Sequence, residues 1–206
     1  MLRCQGSCVA AKPSNLARST SKSRAVETLP WCGNQYDTPA IVRFCFWSLD
    51  TVVPRNEFLC TTKTFDHFEL TVKFKLLGDK DKANGGVQFR TKRIPKHHEV
   101  SGYQADIGQG YWGALYDESR RNKVLAGPKA ADLPKIIKPD DWNEYKIRAE
   151  GPHIQLWLNG TKTVDYTEDD PKAEQTGVIG LQVHGGGKSK VLYKDIAIEE
   201  LPAPKK

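Results

Sequence analysis

The stretch HFELTVKFKLL, His67–Leu77, places Phe68, Leu70, Val72, Phe74 and Leu76 at alternate positions, with Glu69, Thr71, Lys73 and Lys75 between them. Successive side chains of an extended chain point to opposite faces, so this spacing buries one face of a β-strand and solvates the other. The same period recurs in Asn143–Glu150, through Tyr145, Ile147 and Ala149, and again in Ile154, Leu156 and Leu158. Asn159-Gly160 follows, then Thr161–Tyr166. Asn-Gly between two alternating runs predicts a tight hairpin, because both turn positions need positive φ. The turn also accounts for the Asn159-Gly160-Thr161 glycosylation sequon.

Working outward, further strands are expected at Gly86–Arg90, Tyr103–Ile107, Gly113–Tyr116, Val178–His184 and Val191–Glu199. Gly, Pro, Asp and Lys mark loops at Gly78–Asn84, Ile94–Val100, Lys123–Pro134 and Glu168–Thr176. No stretch keeps a helical period over ten residues. Eight to eleven short, regularly spaced strands predict an all-β fold, an antiparallel β-sandwich or jelly roll.

Composition sets the bounds. The chain has 206 residues, 38% hydrophobic and 27% charged, with a formal charge of +6. It lacks the long apolar run of a transmembrane helix. Arg3, Lys12, Arg18, Lys22 and Arg24 face the single acid Glu27 in the first 30 residues, so this opening holds most of the excess charge. A basic nucleic-acid-binding face is therefore not expected. Cys4, Cys8, Cys32, Cys45 and Cys60 all fall in the first 60 residues, at spacings that fit neither a disulfide framework nor a zinc site. The opening has no apolar core of a secretory signal, and the compartment stays unassigned. Residues 1–50 are expected to be a poorly ordered or atypical segment, a disordered N-terminal tail. Residues 51–201 are read as the sandwich and 202–206 as a short tail.

Three strands carry polar groups on one face. Alternation pairs Gln88 with Arg90, Gln104 with Asp106, and Gln182 with His184, opposite Val87, Phe89, Tyr103, Ala105, Ile107, Ile179, Leu181 and Val183. A solvated face usually carries Lys, Glu and Thr. Planar amides instead offer donors and acceptors together, which suits neutral polar ligands such as sugars. Tyr103, Tyr111, Trp112 and Tyr116 supply rings to stack on them. Tyr116–Arg121 reads as a charged solvated loop with a rim or catalytic role held in reserve. His97-His98-Glu99 is an unspecific metal candidate, and His67 and His153 read as surface residues without partners.

At these residues the chain resembles a known family. Asn84-Gly85-Gly86-Val87-Gln88-Phe89-Arg90 resembles its N-[SG]-G-[IV]-x-[FY]-R strand. Gly102–Ile107 resembles its G-Y-[EQ]-x-[QD]-I, Gly113–Tyr116 its G-[AK]-[IL]-Y, and Trp142–Tyr145 its W-N-x-[YL]. Leu158-Asn159-Gly160, Gly180–Gly185 and Tyr193–Ile198 are similar to its L-N-G, G-L-Q-x-H-G and F-[RK]-[ND]-I-x-I. The family is that of the 3-keto-glycoside hydrolases, formerly a domain of unknown function, and the resemblance covers about residues 55–201. Its usual first strand, Leu-Phe-x-Gly-x-x-Leu-x-x-Trp, is not matched by Ile41–Asp50.

The resemblance implies a concanavalin-like sandwich and cleavage of glycosides already oxidised at C3. A ketone at C3 acidifies the C2 proton, so a base removes it, the glycosidic oxygen leaves by elimination, and water adds afterwards. This chemistry needs a base, an acid for the leaving oxygen and donors for the enolate. Asp106 or Glu118 is the expected base, with His184 as acid/base partner. Arg90, Gln104 and Gln182 are the expected enolate and hydroxyl binders, and Gln88, Trp112 and Tyr116 further substrate contacts. Glu57 is carried as a residue that reaches the same cleft. No cofactor is required; a divalent metal, if one is used, would be held by Asp106 and His184. The expected partner is a carbohydrate, and the rival reading is a non-catalytic carbohydrate-binding sandwich.

Overall fold

The computed structural model describes residues 53–186 and 189–203, together with the strand Trp47–Ser48. The expected disordered tail lies outside these residues. Twelve strands occur among the described residues: β1 (Trp47–Ser48), β2 (Glu57–Cys60), β3 (Phe68–Gly78), β4 (Asn84–Arg93), β5 (Val100–Gly108), β6 (Leu115–Glu118), β7 (Lys123–Ala126), β8 (Asn143–Glu150), β9 (His153–Leu158), β10 (Thr161–Thr167), β11 (Val178–Val183) and β12 (Ser189–Glu200). They form two antiparallel six-stranded sheets, ordered β1-β12-β3-β8-β9-β10 and β2-β11-β4-β5-β6-β7. Among the described residues no helix is long and apolar enough to cross a membrane.

The alternation read in His67–Leu77 decides the packing. Phe68, Leu70, Val72 and Phe74 are fully buried while the residues between them are not. They meet Val87 and Phe89 of β4 and Tyr103, Ala105 and Ile107 of β5 in one core between the sheets. Burying a side chain of this size contributes about 1.5–3 kcal/mol. Asn159 and Gly160 take φ of 50° and 81°, as the hairpin demands. The Asn159 amide is spent on Ile136 O and Asn143 Oδ1, and its oxygen accepts from Glu144 N–H.

Two expectations need correction. Lys123–Pro134 is not a plain loop: it holds the edge strand β7, a 3₁₀ turn at Ala130–Asp132 and the start of a one-turn helix, Leu133–Ile136. Elements of three or four residues are too short to show a period. The strand expected at Gly113–Tyr116 begins at Leu115, because Gly113 (φ 74°) and Ala114 close a turn on Tyr111.

One irregularity shapes the rest. The ladder between β4 and β5 slips between Phe89 and Lys92, and Arg90 there adopts φ 48°. This bulge breaks the alternation that would align Arg90 with Gln88. The guanidinium is instead buried and crosses to the other sheet, where Nη1 donates to Gly151 O (2.6 Å) and Nε and Nη2 donate to Asp66 O (2.9 and 2.5 Å). Gly177 makes room for the bulged backbone, since a Cβ there would stand 2.3 Å from Thr91 N. Burial lowers the Arg90 pKa to about 10, leaving it charged at neutral pH.

Arg90→Leu removes every donor from these two carbonyls. It is expected to destabilise the fold by about 3–5 kcal/mol in urea unfolding, with Arg90→Lys recovering only part of the loss. An unchanged midpoint would show that the guanidinium does not tie the sheets.

A polar face buried under a bent hairpin

Cross-strand register brings the polar residues into rows on the outer face of the second sheet. Gln88 faces Gln104, which faces Tyr116 and then Val124; Gln182 faces Gly86, which faces Asp106; Gly102 faces Glu118. The structure thus gathers Gln88, Gln104, Asp106, Gln182, Tyr116 and Glu118. A Cβ on Gly86 would lie 2.4 Å from the Gln104 side chain, so the missing side chain is what lets that amide lie flat between Gln182 and Asp106.

An outer face would normally be wet, yet Gln88, Gln104, Asp106 and Gln182 are all buried. The bend at Arg90 helps explain it. Beyond the bulge the β4–β5 hairpin turns back over the face, so that Asn56 Nδ2, just before β2, donates to Glu99 Oε2 (3.3 Å) and Arg93 Nη2 reaches Phe58 O (3.5 Å). At the hairpin tip His97 and His98 stack at 4.4 Å, and His98 Nε2 pairs with Glu99 Oε1 at 3.2 Å.

Inside, the amides form a directed chain. Thr91 Oγ1 donates to Gln88 Oε1 (3.1 Å), and Gln88 Nε2 donates to Gln104 Oε1. The Gln104 side chain in turn hydrogen-bonds the Asp106 carboxylate, which also accepts from Asn84 Nδ2 (3.1 Å). Gln182 stands apart: it is 1% exposed, and neither end of its amide has a partner. An orphaned buried polar group costs about 1–3 kcal/mol.

Two carboxyls on this face hold their protons unusually tightly. Burial pushes Asp106 up to about 7, against the opposing pull of the Asn84 and Gln104 donors. Burial pushes Glu118 up to about 7 as well, helped by the like charge of Glu99. Tyr116, also raised by burial, meets Tyr111 edge-on at 6.1 Å, and Tyr111 is 42% exposed.

Other expected site residues lie elsewhere. Arg90 is committed to the backbone of the facing sheet, as described. Glu57 is the partner of Val183, whose side chain faces the core, and its carboxylate pairs with Arg55 at 3.1 Å. Trp112 stacks on Phe74 (6.2 Å) at the mouth of the core. His184 is exposed at the end of β11 with Nδ1 2.8 Å from Gly185 O. A carbonyl oxygen only accepts, so Nδ1 carries the proton in this contact.

Tyr116–Arg121 is not simply a solvated loop. Asp117 is fully buried on the inner side of β6, clamped by Arg120 and Arg121, and Arg121 continues to Glu168, which also accepts from the Tyr103 hydroxyl. His67 and His153 have partners after all: His67 Nδ1 accepts from Gly151 N–H, and His153 Nε2 lies 2.6 Å from Asp165 Oδ1. The sequence reading missed Asn84 and Glu99 as neighbours of the two carboxyls. Asn84 opens the N-G-G motif, which is a usable signal; Glu99 arrives through the hairpin bend, which leaves none.

Among the described residues no three His, Cys, Asp or Glu side chains converge as metal ligands. Asp106 and His184 would be a pair only, short of the three or four protein ligands of a typical zinc site, and the Asp106 carboxyl is already bonded to amides.

The family model of the 3-keto-alpha-glucoside-1,2-lyase-like domain matches residues 35–199, beginning about twenty residues before the motif-bearing segment. No curated protein sequence matches the chain. Among solved structures, a carbohydrate-binding module from Bacillus subtilis is 15% identical with a TM-score of 0.58, covering 77% of this chain and 97% of that one. A "putative glycosyl hydrolase" from Parabacteroides distasonis is 21% identical with a TM-score of 0.53, covering 71% and 84%. A Bacillus subtilis protein of unknown function with a galectin-like fold is 15% identical at 0.56, covering 76% and 83%. These likenesses show the shared β-sandwich.

The raised pKa of Asp106 has a consequence for stability. The folded state holds the proton to about pH 7, against an ordinary value of 3.8, so its contribution is complete below about pH 4 and is lost as pH rises through 7. Asp106→Asn, which never ionises, is expected to melt roughly 5 °C or more above the parent at pH 8 and much closer to it at pH 5. Equal midpoints at pH 8 would show that the buried charge is compensated.

Proposed function

The chain belongs to the 3-keto-alpha-glucoside-1,2-lyase-like domain family, and on that premise we propose that it cleaves glycosides oxidised at C3. The observation that carries this reading is the pair of carboxyls, Asp106 and Glu118, both poised near neutrality on a face that also holds the unpartnered Gln182 amide. Acid–base work at neutral pH requires a group that has lost its proton beside one that has kept it.

The surroundings divide the roles. Asp106 accepts from Asn84 and Gln104, which favours its anion, so it is the base that takes the C2 proton. The electron pair left at C2 delocalises onto the C3 oxygen as an enolate, and the Gln182 N–H is free to donate to that oxygen. Glu118 faces the negative Glu99, which favours its neutral form, so it is the acid that protonates the departing glycosidic oxygen. The enolate collapses, the C1–O bond breaks, and an alcohol and a C1–C2 unsaturated 3-keto sugar result. Addition of water across that double bond gives net hydrolysis.

A non-catalytic sugar-binding sandwich is the second reading, favoured by the amide rows and the Tyr111–Tyr116 pair, which suit a sugar without any proton transfer. Incubation with a 3-keto-disaccharide and, separately, its unoxidised parent distinguishes them. Sugar release from the oxidised compound alone is expected. Asp106→Asn and Glu118→Gln should each slow it roughly 100-fold or more. Binding without release from either compound would favour the second reading.

The pH profile gives a separate check. Removing the charge of Glu99 stabilises the Glu118 anion, lowering its pKa. Glu99→Gln is therefore expected to move the alkaline limb of the rate profile to lower pH while leaving the acid limb, set by Asp106, in place. An unmoved alkaline limb would remove Glu118 from the acid role.

A further inference from the structure

Beyond β6, the polar row runs out of amides and into apolar surface. Its last member is Val124 on the edge strand β7, partner of Tyr116. Val124 (44%) and Tyr111 (42%) are the two exposed large hydrophobic side chains among the described residues. Both stand beside Tyr116. Two strand spacings separate Gln104 from Val124, about 10 Å.

Val124 is also on the wall of a groove of about 690 Å³, whose other walls include Trp112, Pro128, Leu133, Ile137 and Leu76. That size suits a small organic ligand. The groove differs from the amide face in what it offers. Its one buried polar side chain, Asn143, is fully occupied: Nδ2 donates to Lys138 O and Asp141 O, and Oδ1 accepts from Lys138 N–H and Asn159 Nδ2. The charges at its edge, Lys80, Lys138 and Asp140, are exposed to water. Nothing buried in this wall is free to hydrogen-bond a sugar hydroxyl, whereas Gln182 on the other side has both amide atoms free.

Resting on the cleavage reading above, we propose that this groove receives the leaving group of the substrate, and that the leaving group is an uncharged aromatic alcohol rather than a second sugar. The sugar ring lies over Gln104 and Gln182, the glycosidic oxygen lies towards Glu118 and Tyr116 on β6, and the ring of the alcohol passes Val124 to the indole of Trp112. The position of the acid on β6, next to the strand that borders the groove, is what this division requires.

The full-length chain is titrated with phenol, uncharged at neutral pH, while the Trp112 indole N–H is followed by NMR, its signal identified with Trp112→Phe. A saturable shift of that signal, weakened at least fivefold in Val124→Asp, supports the site; an unshifted Trp112 signal, or a shift indifferent to Val124→Asp, overturns it. Val124 is exposed on an edge strand, so the variant folds, and its melting midpoint verifies that. In turnover, Val124→Asp is expected to raise KM for a phenyl 3-keto-glucoside at least fivefold and by a clearly larger factor than KM for a 3-keto-disaccharide; equal changes in both overturn the assignment. If neither compound is cleaved the cleavage reading fails, and the NMR titration alone still decides the groove.

Discussion

The buried guanidinium of Arg90 is the constraint on which the site's geometry depends. A charge taken out of water is expensive unless its donors are met, and here three nitrogens are met by two carbonyls of the facing sheet. To reach them, Arg90 must leave the side of the strand that alternation would give it, and the backbone does so by entering the left-handed region. That single residue fastens the two sheets together at one end. It also bends the hairpin of β4 and β5 so that its tip returns over the polar face. The burial of Gln88, Gln104, Asp106 and Gln182 is thus linked to a feature several residues away.

Burial then changes the chemistry of ordinary residue types. A carboxylate on a wet strand face is a solvated charge with no task. The same carboxylate under the hairpin is denied water, and its proton stays on to near neutrality. The amides behave similarly. Gln88 and Gln104 satisfy one another and present their last donor to Asp106, so the chain that begins at Thr91 leaves them no freedom to rotate. Gln182 has no such partner in the protein, in contrast to the three committed amides of Gln88, Gln104 and Asn84.

Much of this was legible in the sequence. Alternation alone placed β3, β8, β9 and the Asn159-Gly160 turn, because a strand buried on one face must repeat with period two. The same rule put Gln104, Asp106 and Gln182 on one face. It failed at Arg90, since a bulge is a tertiary compromise that leaves the residue pattern untouched. It failed also at Asp117, where one acid between Tyr116 and Glu118 looks like any surface charge until Arg120 and Arg121 fold back over it. Glu99 was beyond reach for another reason: its place beside Asn56 and Glu118 depends on the angle at which the hairpin folds. Trp112 read as a ring for sugar stacking, and it is the packing of Phe74 that draws it to the other side of the turn.

The division between the amide face and the apolar groove follows from the same sheet. Strand β6 carries both the carboxyl that burial keeps protonated and the tyrosine that ends the polar row. On its β5 side every outward group hydrogen-bonds; on its β7 side the outward group is a valine. A ligand lying across β6 therefore passes from a row of amides to a more apolar surface, and the change falls at the strand that carries Glu118. Elimination has the same asymmetry, because the ring that must be recognised stays on one side of the breaking bond while the group that must depart lies on the other.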